Sequence, residues 1–370
     1  MEIILLIPIQ KSKYSIIYNI FDDLCLALNE TGVKWERVFV NTSGIIYDDY
    51  EKNVKIIEGK ALKKYIETNS KRETIFVTID DFYIIKLLNG RKANVNLLIW
   101  ANYFCGHRFI FHRYNEIDPL FFTGFFIRLF LRLFEFSPNF ILRILCRKYI
   151  GTLAKANVVS QSIWTDLLLE RVYSIKTKGI LPIPLNQELL PINIMERAQK
   201  LLLFLGNYNE TDLSSLYDAI EAVKGVVNID GIDFFGTEET GQIFQSHFHI
   251  ELTYVGKLSR KELSTCYRSH FLTICPIFNG TFEMVPVESI MSGTPVISFI
   301  QPFMEVTGQS QMIANILNVP EIKTKTLLWK KLDSEIREKE RNKILVVMDS
   351  RKVAEQLITY ARDMIKTETV

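Results

Sequence analysis

Residues 271–299, FLTICPIFNGTFEMVPVESIMSGTPVISF, combine groups that could hold an anion with the elements needed to place them. Residues 271–278 are apolar and rich in strand-forming types, and Asn279-Gly280-Thr281 follows as a cluster of turn formers. A buried strand is therefore expected to end near Phe278. Pro286 suits the first turn of a helix, Gly293 its C′ position, and Pro295 lies just beyond, which predicts a short helix over 286–292. The N–H groups at its start, Met284 to Val287, would face a loop at the carboxyl end of a strand. Open α/β sheets hold ligands there, and helix N-termini hold phosphate. An ordinary strand-helix-strand unit without a ligand carries the same marks. Asp80-Asp81, the other conspicuous acidic group, follows a strand-like run over 74–79 and reads as a cap or turn, so no metal site is expected.

The elements that must position such a site recur along the chain. Apolar runs at 3–9, 35–40, 74–79, 95–101 and 158–159 alternate with helical patterns, the first at 15–28. That alternation predicts a parallel sheet with helices on both faces. Further strands are expected at 201–205, before Gly206, and at 232–236. Ser259 and Glu262 have capping-box spacing. A final helix is expected from about 350 to 365, with Val353, Leu357, Ile358, Ala361 and Ile365 on one stripe behind Asp349-Ser350.

At 370 residues the chain exceeds one comfortable core, and two domains are the natural expectation. A net charge of +2 argues against general nucleic-acid binding, and none is expected. The five cysteines, Cys25, Cys105, Cys146, Cys266 and Cys275, are scattered and odd in number, which fits reduced thiols rather than a disulfide framework or zinc site. MEIILLIPI makes a poor signal peptide and a good first strand, so a cytoplasmic location is expected.

Residues 119–150, PLFFTGFFIRLFLRLFEFSPNFILRILCRKYI, stand apart: eleven of the 25 phenylalanines fall between Phe104 and Phe140. Arg128 and Arg132 are four apart, as are Arg143 and Arg147, so each pair marks one stripe of an otherwise apolar helix, with a break at Ser137-Pro138. Neither helix suits a bilayer span, because an Arg near the membrane centre costs about 2.5 to 3.5 kcal/mol. Lying in the interface suits them better: aromatics enter the acyl boundary while each Arg contributes about 1 kcal/mol at an anionic surface. The alternative is a helical pair packed on the sheet or against a protein partner.

Residues 282–297, FEMVPVESIMSGTPVI, resemble the nucleotide-sugar motif of GT-B retaining glycosyltransferases, the glycogen-synthase and sucrose-synthase-like group. The family motif is E-x7-E. Glu288 falls on its second Glu, which binds donor ribose hydroxyls in the family, whereas the first falls on Gly280. Glu283 is three residues from the position of that first Glu. The segment 252–263, LTYVGKLSRKEL, resembles the family stretch whose loop packs on the base, which implies Lys257 and Leu258 as base contacts. Where the family carries an Arg and a Lys for the donor diphosphate, this chain reads Asn207-Tyr208-Asn209-Glu210-Thr211-Asp212 after Gly206. Lys257 is the nearest replacement cation. The acceptor loop after the first strand contains Gln10, Lys11 and Ser12 and has no glycine. Past the run 96–101, Asn102 takes the place of a family His near the acceptor, with His107 five residues on.

The resemblance implies an α/β, GT-B fold: two Rossmann-like domains with parallel sheets facing a central cleft, and a C-terminal helix crossing back to the first domain. The expected domains are 1–190 on the acceptor side, 191–348 for the nucleotide-sugar, and 349–370 for the returning helix. The donor set comprises Glu288, Gly280, Thr281, Phe282, Glu283, Met284, Val285, Pro286, Val287, Lys257, Leu258, Gly206 and Asn207. The expected function is glycan biosynthesis: transfer of a hexosyl-type sugar from a nucleotide-sugar to a lipid-linked or membrane-surface glycan acceptor, with retention. No metal or cofactor is required, and the protein would be cytoplasmic and peripherally membrane-associated. The alternative is a non-catalytic GT-B subunit that binds a partner or membrane, for which Gly280 and Asn207 speak.

Overall fold

The computed structural model describes residues 1–9, 16–41, 55–79, 84–85, 96–101, 151–185, 197–206, 208, 211–277, 284–299 and 310–367. The chain divides into two compact units, Met1–Pro184 with Ser350–Val370, and Leu185–Asp349.

The first unit is built on six parallel strands: β1 (Glu2–Pro8), β2 (Lys34–Asn41), β3 (Lys55–Glu58), β4 (Thr74–Ile79), β5 (Asn96–Ala101) and β6 (Asn157–Ser160), in the order β3-β2-β1-β4-β5-β6. Ile3 to Ile7 and Ile75 to Val77 are fully or almost fully buried. Strands covered on both faces read as continuous apolar runs, which is why these were visible in the sequence. Helices α1 (Ile16–Asn29), α2 (Gly59–Asn69) and α3 (Ile163–Tyr173) flank the sheet. The last helix of the chain, α10 (Ser350–Thr367), also belongs to this unit and lies against α1 and β5. Val353, Ala354, Leu357, Ile358, Ala361 and Met364 form its buried stripe, and Ile365 is half-buried. Gln356 Nε2 and Tyr360 Oη both donate to the carbonyl of Ile180, at 2.6 and 3.2 Å. This close approach requires Gly179, whose φ is +148° and whose Cβ would stand 2.2 Å from Tyr360 Oη.

The second unit repeats the plan with β7 (Ala198–Leu205), β8 (Gly231–Gly236), β9 (Thr253–Tyr254), β10 (His270–Cys275), β11 (Val296–Ser298) and β12 (Ile313–Asn315), in the order β12-β11-β10-β7-β8-β9, all parallel. Its helices are α4 (Leu213–Lys224), α5 (Glu238–Phe248), α6 (Arg260–Ser269), α7 (Met284–Met291), α8 (Val319–Trp329) and α9 (Ser334–Met348). Leu201, Leu203, Leu216, Ile220, Phe234, Phe244, Leu272 and Ile274 make the centre of its main core. Counting strands within each unit, both sheets follow the doubly wound order 3-2-1-4-5-6. The direction of winding therefore reverses between β1 and β4 and between β7 and β10, where this architecture places ligands.

Two local expectations are corrected. The strand expected to run to Phe278 stops at Cys275, because Pro276 has no N–H to continue a ladder. The helix expected over 286–292 is Met284–Met291. Pro286 stands third rather than first in it, a position that still falls among the amides without an intrahelical partner. Strands β3 and β12 were not expected: β3 is short and mostly exposed, and β12 has only 3 residues. No described helix is long and apolar enough to cross a membrane, and the arginine-bearing segment 119–150, with Arg128, Arg132, Arg143 and Arg147, lies outside the described residues.

Candidate functional site

The switch point of the second sheet is the better described of the two. β7 ends at Leu205, followed by Gly206, and β10 ends at Cys275, so their outgoing loops leave side by side. An antiparallel bridge joins Thr211 to Ile277, and the Asp212 N–H donates to the Pro276 carbonyl at 2.9 Å. The Asp212 carboxylate caps α4, accepting from the Ser215 N–H at 3.0 Å and its hydroxyl at 2.7 Å. This acid is thus a helix cap. Gly236 lets the neighbouring turn pack on the end of β7: its φ is +106° and a Cβ there would stand 2.2 Å from the Leu205 carbonyl.

Helix α7 begins beyond the β10 loop and is buried along all eight residues. Its far end closes in the manner Gly293 foretold. Gly293 has φ +74°, the Thr294 N–H reaches the Ser289 carbonyl at 2.8 Å, and the Gly293 N–H reaches Ile290 at 2.8 Å, a Schellman motif. Arg197 donates to Thr294 Oγ1 at 2.7 Å and to the Ser292 carbonyl at 3.4 Å, and Arg337 donates to the Gly293 carbonyl. Two cations at the negative end of the helix dipole fix its position. Burial, followed for Arg197 by the charge of Arg337, lowers the pKa of both guanidinium groups.

At the near end, Met284 and Val285 carry the amides of the first turn, Pro286 carries none, and Val287, fourth in the helix, falls where the intrahelical ladder begins. The expected four-amide anion site is therefore smaller by Pro286 and Val287. Glu288 follows, 6% exposed. Its Oε1 lies 3.6 Å from Arg260 Nε, and its Oε2 accepts from the Tyr267 hydroxyl at 3.4 Å. Arg260 opens α6 and Tyr267 lies near that helix's end, seven residues on, so both face α7 from one side. Tyr267 is fully buried, and burial, then the Glu288 charge, raises its pKa well above that of an ordinary phenol, keeping the hydroxyl a donor.

The start of α6 is fixed by a complete capping box: Ser259 Oγ accepts from the Glu262 N–H, and Glu262 Oε2 accepts from the Ser259 N–H at 2.7 Å. Bonds from Ser259 lower the pKa of Glu262. Just before the cap, Lys257 is exposed with no hydrogen bond or ion pair to the described residues. Leu258 packs on an apolar cluster with Leu202, Phe235, Tyr267, Cys275, Ile277 and Val285. Among the sequence-predicted residues, the structure thus joins Leu258 and Val285 in one cluster beside Glu288, with Gly206 at the adjoining strand end. Gln10, Lys11, Ser12, Asn102, His107, Asn207, Gly280, Thr281, Phe282 and Glu283 lie outside the described residues.

Arg260 and Tyr267 were missed by sequence reasoning. A signal existed: Arg260, Ser264 and Tyr267 have i, i+4, i+7 spacing, and a cation on the buried stripe of a helix needs a partner. Among the described residues no group of His, Cys, Asp and Glu is arranged to hold a metal ion.

No protein-family model matches the chain, and no curated protein matches it in sequence. Solved structures do. Sucrose-phosphate synthase from Thermosynechococcus elongatus superposes with a TM-score of 0.70 at 14% identity, over 99% of this chain and 100% of that one. The fold is GT-B. TarM from S. aureus, solved in a complex with α-GlcNAc-glycerol and UDP, gives 0.64 at 10% identity over 97% and 99% of the two chains. The E. coli trehalose-6-phosphate protein bound to UDP-2-fluoro glucose gives 0.63 at 10%, over 98% and 99%. Identities this low establish the GT-B architecture, within which Glu288 stands at the switch point of the second unit.

Proposed function

We propose that the protein is a glycosyltransferase that moves a sugar from a nucleotide-sugar donor to a lipid-linked or membrane-surface acceptor, with retention of configuration. The observation that carries the reading is Glu288, a carboxylate held by Arg260 and Tyr267 on the helix that follows the switch-point strand β10. On this reading Glu288 accepts the ribose hydroxyls, the Leu258 loop lies against the base, and the first amides of α7 with Lys257 meet the diphosphate as it departs. Preorganised donors aimed at that developing charge lower the barrier to transfer. AviGT4, a glycosyltransferase involved in avilamycin A biosynthesis, is a structural neighbour, and TarM binds UDP, which agrees with a sugar-transferring role. The acceptor class rests on the aromatic, arginine-bearing segment 119–150, whose composition suits an anionic interface.

Turnover of a nucleotide-sugar panel by the full chain, with anionic vesicles carrying polyprenyl-phosphate-linked glycans, tests the reading. Release of a nucleoside diphosphate with at least one donor is expected. Absence of both turnover and nucleotide binding sinks it. Nucleotide binding without turnover identifies the second reading, a non-catalytic GT-B subunit, which Gly280 and Asn207 favour. Flotation with the vesicles should be lost on replacing Arg128, Arg132, Arg143 and Arg147 by Glu, and unchanged flotation refutes the membrane role.

A further inference from the structure

We propose that Arg197 and Arg337 form a binding site for a phosphate dianion, free or as a monoester, at the turn that closes α7. The site is separate from the switch point and does not rest on the donor-site reading above.

Two positive charges meet at this one turn. Arg197 stands immediately before β7, and Arg337 is fourth in α9. Arg197 Nη1 donates to Thr294 Oγ1 at 2.7 Å and to the His270 carbonyl at 3.4 Å, and its Nη2 donates to the Ser292 carbonyl at 3.4 Å. Arg337 Nη1 donates to the Gly293 carbonyl, while its Nε and Nη2 donate to the Leu332 carbonyl at 3.4 and 3.3 Å. The two guanidinium groups thus hold adjoining residues of the turn. Every one of their acceptors is neutral.

The protein supplies little to balance that charge. Among the described residues no carboxylate forms an ion pair with Arg197 or Arg337. Asp333 acts on Arg337 through its charge, but its carboxylate is engaged as the cap of α9, accepting from the Ile336 N–H at 2.8 Å. Arg197 has no such help: burial, then the charge of Arg337, lowers its pKa to about 9. It still carries its proton at neutral pH, so both charges are present. Taking one cation out of water is costly, and placing a second beside it adds repulsion.

Helix capping accounts for one of these cations and not for the pair. A positive charge at a helix C-terminus is favourable, but α7 has only 8 residues and its end is already closed by the Gly293 and Thr294 N–H groups. The second guanidinium is explained by an anion that both share. Guanidinium forks match phosphate oxygens, and a phosphate monoester brings a charge of about −1.5 to −2 at pH 7, enough to offset two arginines where a carboxylate offsets one. Both residues are half-buried, so they are partly desolvated without being sealed from solvent. In that setting a charge-assisted bond is stronger than on an open surface. The location also separates this site from the nucleotide: His270 opens β10 and Thr294 lies just before β11, so the pair sits at the amino ends of the strands, opposite the switch point.

Equilibrium dialysis of the full chain with radiolabelled inorganic phosphate at fixed ionic strength tests the site. Saturable binding is expected with a dissociation constant of about 1 mM or below, weakened about tenfold in Arg197→Gln and in Arg337→Gln and partly restored in Arg337→Lys. Displacement by glycerol 3-phosphate at lower concentration than by unlabelled phosphate assigns the site to a monoester, and the reverse order assigns it to the free ion. UDP-glucose, whose phosphates are both diesters, should leave the label in place. Should the glutamine variants fail to fold, protection of the wild type decides: phosphate, unlike chloride, should slow phenylglyoxal modification severalfold at Arg197 and Arg337, mapped by peptide mass. Absence of saturable binding overturns the proposal, as does binding undiminished in both folded glutamine variants, which would leave the arginines as helix caps alone. Displacement by UDP-glucose would place the phosphate at the donor end and overturn it too.

Discussion

Two buried carboxylates in the second unit are held in different ways. Asp233, on β8, lies 3.0 Å from His270 Nε2, and Lys200 Nζ stands 3.4 Å from each of its oxygens. The other ring nitrogen of His270 faces the Cys266 carbonyl at 2.7 Å. His270 opens β10, Lys200 lies early in β7, and Asp233 is third in β8, so this cluster ties three neighbouring strands together near their amino ends. Glu288 hangs instead from a helix that leaves the carboxyl end of β10, with the Tyr267 hydroxyl at 3.4 Å and Arg260 Nε at 3.6 Å on the neighbouring helix. Contacts between strands, at the end of the sheet opposite to where such sheets bind ligands, describe a structural tie. Contacts between helices, at the end where such sheets bind ligands, place the Glu288 carboxylate where it can serve a ligand.

The largest expected effect separates these roles. Asp233→Ala strands the His270 ring and Lys200 around a lost carboxylate, and removing one member of a buried pair is costly. With Lys200 partly exposed, a loss of about 2 to 3 kcal/mol in urea unfolding is expected, with nucleotide affinity of the folded protein within about twofold of wild type. Glu288→Gln should show the reverse: a stability loss of about 1 kcal/mol, the size of an ordinary hydrogen bond, and a fall of at least about tenfold in affinity. If both variants lose affinity to the same degree, the contrast between the two carboxylates is wrong.

The contrast also marks what the sequence made legible. Locally encoded features were readable: Gly293 at the C′ position, the Ser259–Glu262 capping box, and continuous apolar runs for strands buried on both faces. Pro286 misplaced the start of α7 because proline is tolerated anywhere in a first turn, where amides lack partners. β3 escaped notice because an exposed edge strand carries no apolar run. Glu288 drew attention only through a family motif, since an isolated Glu on a short helix has no distinguishing mark. Its partners are separated from it by 21 residues for Tyr267 and farther for Arg260, and only the packing of α6 on α7 makes them neighbours. The charge of Asp212 is likewise visible in the sequence, but its work as a cap depends on where α4 begins.

A smaller effect sharpens the Glu288 side of the comparison at high pH. Burial raises the pKa of Tyr267 well above 10, so the folded protein keeps this proton where the unfolded chain releases it. A raised folded pKa contributes stability that is complete below the unfolded value and is lost as pH climbs through the folded one. Above about pH 10, wild-type stability should therefore fall more steeply than that of Tyr267→Phe, by up to about 1.4 kcal/mol per pH unit. Parallel curves in urea unfolding between pH 9 and 11 would show that this phenol titrates normally and is not buried against Glu288.

The smallest effect concerns a third carboxylate, which stands among the switch-point loops yet belongs with Asp233 in role. Asp212 accepts from the Ser215 N–H and hydroxyl, while its own N–H bonds the Pro276 carbonyl. The side chain therefore serves α4, and the main chain alone joins the two outgoing loops. Asp212→Ala should cost about 1 kcal/mol, the usual size of a lost N-cap, whereas Asp212→Asn should recover most of it because Asn caps nearly as well. Neither change removes the main-chain bond, so nucleoside diphosphate affinity should stay within about twofold in both. A drop of tenfold in Asp212→Ala that Asp212→Asn restores would make the cap part of the site, and proximity to the switch point would then matter more than which group a carboxylate serves.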